Sequence, residues 1–145
     1  IAAESASFVD PHVSVGQAVA YEAITLLRKS PMEAILRMAL SGRNERISAQ
    51  RAYELGILSE VVPGDTLRAA ATALATAVAA NSPMALRATK KALWRCMEVG
   101  LSTAREEAAA QIDRLAGHPD QDEGVRAWLE KRSPNWQSTA TAEAP

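Results

Sequence analysis

The feature that most limits how this chain can fold is its punctuation: from Ala18 onward, residues that start helices alternate at short intervals with residues that stop them. Ser30-Pro31 reads as a cap followed by proline at the first helical position, and Met32, Ile35, Leu36, Ala39 and Leu40 then share one apolar face. Gly42 closes that helix, because glycine enters positive-φ conformations without steric cost. Ser48 opens a short helix through Ala49, Ala52, Tyr53 and Leu55 that Gly56 stops. Asp65 is expected to cap a long helix whose Leu67, Ala70, Ala71, Leu74, Ala75 and Val78 form a stripe. Asn81-Ser82-Pro83 breaks it and starts another that runs to about Gly100. Thr103 and Glu106 match a capping box for a further helix ending at Gly117, and Asp120 and Glu123 repeat the spacing before Val125, Trp128 and Leu129.

Composition agrees with a helical chain. Alanine makes up roughly a fifth of the 145 residues and aromatics only 4%, so helices can approach one another closely. A hydrophobic share of 48% is enough for a core and excludes disorder over most of the length. Two segments depart from helix. Ser7 to Gly16 mixes β-branched residues with Pro11 and reads as an extended segment and a loop, and Ile57 to Val62 is the best strand candidate, closed by Pro63-Gly64. Such strands need partners for their backbone groups, so the chain is expected to lack the other half of a sheet. No repeat and no boundary precede the Ser133–Pro145 tail, which is expected to fray, so one compact helical unit is predicted.

Sixteen basic and seventeen acidic residues give a net charge of -1, without the basic excess of a nucleic-acid binder. The single Cys96 excludes an internal disulfide and fits a reducing, cytoplasmic setting. No apolar run approaches the roughly eighteen residues that cross a bilayer, so no membrane partner is expected. The sequence opens at Ile1 without signal-peptide anatomy or an initiator methionine, and is expected to begin partway through a protein.

Three segments carry a resemblance. Leu40-Ser41-Gly42-Arg43, then Arg46-Ile47-Ser48-Ala49-Gln50-Arg51-Ala52 and Leu55-Gly56-Ile57-Leu58-Ser59-Glu60-Val61-Val62-Pro63, resemble the "LTG…ISAxxAxxxGLVxxVVP" segment of the enoyl-CoA hydratase/isomerase, or crotonase, superfamily. Ala80-Asn81-Ser82-Pro83-Met84-Ala85 with Lys90-Lys91 is similar to the family's "A-x-S-P-x-A…K" stretch, and Glu123 to Arg132 to its closing "EG…AFxEKR" helix. The resemblance spans about residues 1–136 and corresponds to the second half of the family's domain. It implies a fold class that is mostly α with short β segments, the C-terminal helical half of a crotonase-like (ClpP/crotonase) α/β spiral fold. Residues 1–17 would end the spiral β core and form an active-site loop, 18–136 would be the helical and oligomerisation region, and 137–145 a disordered tail. The family's two oxyanion-hole N–H groups come from earlier segments, which implies that this chain alone does not catalyse.

The resemblance also points to site residues. Phe8-Val9-Asp10-Pro11-His12 stands where hydratases carry "F-x-x-P-E", so His12 occupies the position of an acid/base glutamate. An imidazole near pKa 6.5 suits that role; the other reading is that His12 merely fills the pocket of a member with a lost or changed reaction. Asp10, two residues earlier, would orient the ring or be a pre-proline turn aspartate. Gly16-Gln17-Ala18-Val19-Ala20-Tyr21-Glu22 replaces the family's "P-G-x-G-G-T" turn, implying a different acyl-pocket shape. Tyr21 and Glu22 lie near that pocket, Glu22 alternatively as a solvent-exposed helical residue. Trp128 and Lys131 sit where the family's last helix reaches CoA, although Lys131-Arg132 also suits a solvated helix end. Lys90-Lys91 reads as a solvated face. Cys96 and His118 have no metal-ligand spacing, so no metal is expected.

The resemblance therefore implies an enzyme acting on acyl-CoA thioesters through an oxyanion-stabilised enolate, with no cofactor beyond the CoA of the substrate. It implies a homotrimer or dimer of trimers, with room for a separate N-terminal fragment. Hydration of a 2-enoyl-CoA is the default reaction; isomerisation, thioester hydrolysis and C–C cleavage follow the same enolate logic. The competing readings are a non-catalytic crotonase-like assembly module and an unrelated helical adaptor.

Overall fold

The computed structural model describes residues 1–19 and 21–137. Among these residues, four two-residue strands are β1 (Ala2–Ala3), β2 (Ser7–Phe8), β3 (Ile47–Ser48) and β4 (Val61–Val62). The seven α-helices are α1 (Tyr21–Leu27), α2 (Met32–Ser41), α3 (Ala49–Glu54), α4 (Leu67–Ala79), α5 (Pro83–Cys96), α6 (Leu101–Leu115) and α7 (Pro119–Glu130). The chain divides into two compact units, Ile1–Leu74 and the residues from Ala75 onward, where the sequence predicts one. The division falls inside α4, which buries none of its side chains, so its apolar stripe joins no core.

In the first unit the strand candidates find partners within the chain. β1 runs parallel to β4, with Ala2 opposite Val61, and β2 runs antiparallel to β3, with Phe8 opposite Ile47. The strand expected over residues 57–62 shortens to Val61–Val62, because the amides of Ile57 and Leu58 bond back to the Ala52 carbonyl and close α3 instead. α3 begins where expected, with the Ser48 hydroxyl accepting from the Arg51 amide. Ala49 and Ala52 have no exposed surface, which lets this helix lie directly against β2, β3 and β4.

The core of this unit is Ala23, Ile35, Met38 and Ala39, flanked by Leu26, Leu27, Ile47 and Ile57. Burying a side chain such as Ile35 contributes about 1.5–3 kcal/mol. The buried face of α2 is Ile35, Met38 and Ala39; Met32, Leu36 and Leu40, expected with it, are exposed. The i, i+3, i+4 spacing of the buried three is the tighter helical stripe. Ser30 does not cap α2: Pro31 takes the N-cap position, and the Ser30 hydroxyl is buried without a hydrogen-bond partner. Gly42 ends α2 at φ 59° and ψ −141°, a region essentially reserved for glycine, and a Cβ there would run into the Ser14 hydroxyl.

In the second unit α5 packs on α6, and Arg95 of α5 forks onto Glu107 of α6 at 2.8 and 3.2 Å. Three expected caps are displaced. Asp65 lies in the turn before α4, where Thr66 bonds the Pro63 carbonyl. α6 starts at Leu101 on Gly100, which leaves Thr103 inside the helix rather than capping it. α7 is capped by the His118 side chain, which accepts from the Asp120 amide, with Pro119 in the first turn. The Asp120 carboxylate, relieved of capping α7, turns inward instead. Buried, it accepts the Ser82 hydroxyl, while that same hydroxyl caps α5.

Residues 133–137, expected to fray, are fastened. The Trp136 indole donates to the Ala80 carbonyl at 2.6 Å, the Gln137 amide to Asp120 at 2.9 Å and the Asn135 amide to Glu123 at 2.6 Å. Polar residues in the strap hid these contacts, since composition reports local propensity and not a distant carboxylate. Of the tail expected over residues 137–145, residues 138–145 lie outside the described residues.

Gly42→Ala is expected to lower stability by about 1–3 kcal/mol, visible as a lower thermal midpoint, because it adds both strain and a clash. The strap carries a pH dependence. The Arg132 guanidinium and the Asn135 amide hold the Glu123 carboxyl down to about 2. The strap contacts are therefore complete above the ordinary value of 4.5 and are lost as pH falls toward about 2. Hydrogen exchange at Asn135 reports this loss, and Glu123→Gln shows faster exchange already at neutral pH.

Candidate active site

Strand β2 aims a short loop at the end of the first unit's core. After Phe8 the chain passes through Val9 and Asp10 to Pro11, and residues 12–15 form one 3₁₀ turn that Gly16 ends at φ 78°. Asp10 is 6% exposed. Its Oδ1 accepts the His12 backbone amide at 3.1 Å and lies 2.6 Å from His12 Nδ1. One carboxylate oxygen thus serves both as the turn's acceptor and as the ring's partner. Its other oxygen, Oδ2, is buried without a hydrogen-bond partner.

The ring of His12 stands at the wall of a cavity of about 200 Å³. Phe8, Leu26, Met38, Ile47 and Ile57 make the lining mostly apolar, and Asp10, His12 and Glu22 are its ionisable groups. α1 places Glu22 on this cavity, while Tyr21 is exposed and does not line it. The electrostatics follow from the geometry. The hydrogen bond from Asp10 raises the His12 pKa above 6.5; partial burial opposes this, and the charges of Asp10 and Glu22 add to the rise. Burial would lift Asp10, but the ring and backbone hydrogen bonds from His12 outweigh it and leave the carboxyl below its usual value. With Asp10 ionised, the Nδ1 proton points at the carboxylate and Nε2 is the nitrogen left to exchange protons.

The remaining expected site residues belong to the second unit. Trp128 is 78% exposed on α7, and Lys131 is the exposed C-cap of that helix at φ 54°. Lys90 and Lys91 are exposed on α5. Sequence reasoning misses the Ser82–Asp120–His118 cluster, although Ser82-Pro83 and His118-Pro119 both place a capping side chain directly before a proline, which Ser30-Pro31 does not. The long-range bond between Ser82 and Asp120 has no such local signal.

The fold has counterparts among known proteins. The fold matches a crystal structure of an enoyl-CoA hydratase/isomerase from Mycobacterium paratuberculosis with a TM-score of 0.88 and 44% identity, covering 93% of this chain and 53% of that one. It also matches human enoyl-CoA hydratase domain-containing protein 3, with a TM-score of 0.82 and 32% identity over 92% of this chain and 52% of that one. Mostly helical with short strands, the architecture is that of the C-terminal part of a crotonase-type fold. The 2,3-dehydroadipyl-CoA hydratase of Escherichia coli is 35% identical over 138 residues, 94% of this chain and 53% of that protein. The model of the enoyl-CoA hydratase/isomerase family matches residues 1–139, and the chain belongs to that family. It spans about half the length of the relatives it matches.

Titration of the His12 ring by NMR checks the electrostatics. The wild-type midpoint lies above 6.5, and Asp10→Asn moves it down toward the free value, because the raising hydrogen bond and charge are both removed.

Proposed function

We propose that this chain forms the C-terminal part of an enoyl-CoA hydratase/isomerase-type enzyme that acts on acyl-CoA thioesters through an oxyanion-stabilised enolate. The observation that supports it most is the His12 ring held 2.6 Å from a buried carboxylate at the wall of an apolar cavity. In water addition to a 2-enoyl thioester, neutral Nε2 of His12 takes a proton from water as the water oxygen bonds to C3. The C2–C3 π electrons move onto the thioester oxygen as an enolate. Transfer of the proton from the His12 imidazolium Nε2 to C2 restores the thioester carbonyl and the neutral ring. Asp10 stabilises the imidazolium formed in the first step, as a carboxylate does beside a catalytic histidine.

In this reading the two oxyanion donors, each contributing about 2.7–4 kcal/mol to the transition state, lie in the part of the family's length that this chain does not span. The chain alone is then inactive. Trp128 and Lys131 are assigned to the CoA moiety, the tryptophan as apolar surface and the ammonium beside phosphate. Assembly as a trimer or a dimer of trimers would cover the exposed Leu93, Leu101, Ile112 and Leu129. The same exposed residues also suit the second reading, an assembly module without catalysis.

Protein isolated natively, together with any polypeptide that accompanies it, is the material for the test. It is expected to hydrate crotonyl-CoA only when the oxyanion half is present by intact mass. His12→Ala then lowers kcat by about 10²–10⁴-fold. An unchanged rate in that variant would remove His12 from the chemistry, and no turnover with both halves present would leave the assembly module.

A further inference from the structure

A second concavity of the first unit lies on the other side of the wall that bounds the His12 cavity: Met38 and Ile47 line both. It measures about 360 Å³, and where its neighbour is mostly apolar its lining is mixed, with charged side chains beside Ala34, Met38, Ile47 and Leu55. Three arginines, Arg37, Arg46 and Arg51, converge on it against two carboxylates, Glu45 in the lining and Glu54 paired with Arg51 beside it. This is a local excess of positive charge in a chain whose net charge is -1.

The three arginines come from three different places in the fold, α2, the loop before β3, and α3, so their convergence is a product of folding and not of a basic run. Each is weakly committed. Arg37 bonds Glu45 at 2.7 Å and Arg51 bonds Glu54 at 3.0 Å, but the two guanidinium side chains are 74% and 60% exposed, where ion pairs contribute little. Arg46 makes a long 3.4 Å contact with the neutral Ser7 hydroxyl. Guanidinium groups present planar forks of donors that match phosphate oxygens in pairs. Arg51 can therefore turn from an exposed carboxylate to a dianion at small cost, Arg37 leaves a half-buried Glu45 that keeps the Ser41 hydroxyl as a donor, and Arg46 has only a neutral hydroxyl to give up.

We propose that the Arg37–Arg46–Arg51 cleft is a binding site for a phosphate-bearing ligand, separate from the His12 cavity and independent of the reaction assigned to it. The shared chemistry is a phosphate or diphosphate group, whether free or carried on a nucleotide.

The test is calorimetric titration of the full chain with inorganic pyrophosphate and with ADP, alongside methyl NMR of its methionines. Saturable pyrophosphate binding is expected, weakened about tenfold or more by Arg46→Gln, since that substitution removes a charge-assisted hydrogen-bond donor. Glu45→Gln is expected to tighten binding, because it removes the competing carboxylate and frees Arg37; a variant that misfolded would not do so. The Met38 methyl resonance shifts on binding, as Met38 lines the cleft. Equal affinity for pyrophosphate and ADP assigns recognition to the phosphates alone, and a clear preference for ADP assigns it to a nucleotide. Absence of saturable binding, binding indifferent to both variants, or shifts at Met84 or Met97 in place of Met38 would overturn the proposal.

Discussion

The first unit depends on the absence of side-chain bulk at Ala49 and Ala52. Neither has exposed surface, and because neither projects beyond Cβ, α3 can lie against three strands at once. Strands of two residues cannot hold a register by their own ladder bonds. They hold it here because α3 covers them, and because the Ala49 amide reaches back to the Ala6 carbonyl at 2.9 Å, next to the β2–β3 pair. That pair sets Phe8 opposite Ile47, and the loop carrying Asp10 and His12 leaves from its end. A larger residue at position 49 would therefore disturb the site through the strands, and one at position 52, which lines the His12 cavity, would also enter it directly.

The loop builds the Asp10–His12 pair with few residues. Pro11 fixes the turn, the Asp10 carboxylate closes it on the His12 amide, and the same oxygen receives the ring proton. Burial works against the charge on Asp10 and hydrogen bonding works for it, and the hydrogen bonds win. The result is an ionised carboxylate in an apolar wall, which needs the imidazole as partner. A glutamate at position 12 would set two carboxylates side by side, so the aspartate and the histidine make sense as a pair.

Much of this is legible in the sequence, and the misses share a cause. Helix positions follow from Ser48, Ser82-Pro83 and the stop at Gly42, because caps and glycines act within a few residues. The Asp10–His12 pair is legible for the same reason, being two residues apart. What local pattern does not contain are bonds closed by the fold: Ser82 to Asp120, Trp136 to Ala80, and the convergence of Arg37, Arg46 and Arg51. The capping boxes expected at Thr103 and Asp120 fail where competing partners are better placed, Gly100 for α6 and His118 for α7. The parallel β1–β4 pair is also out of reach, since its partners are separated by nearly the whole first unit.

Family membership and the fold of half a crotonase domain supply the frame, and the histidine held on a buried aspartate supplies the chemistry proposed within it. The most direct measurement of that arrangement is the tautomer of the His12 ring, read from its ¹⁵N chemical shifts at a pH where the ring is neutral. The account predicts the proton on Nδ1, facing Asp10, with Nε2 unprotonated and ready to accept. A ring protonated on Nε2, or one exchanging evenly between the two forms, would contradict it.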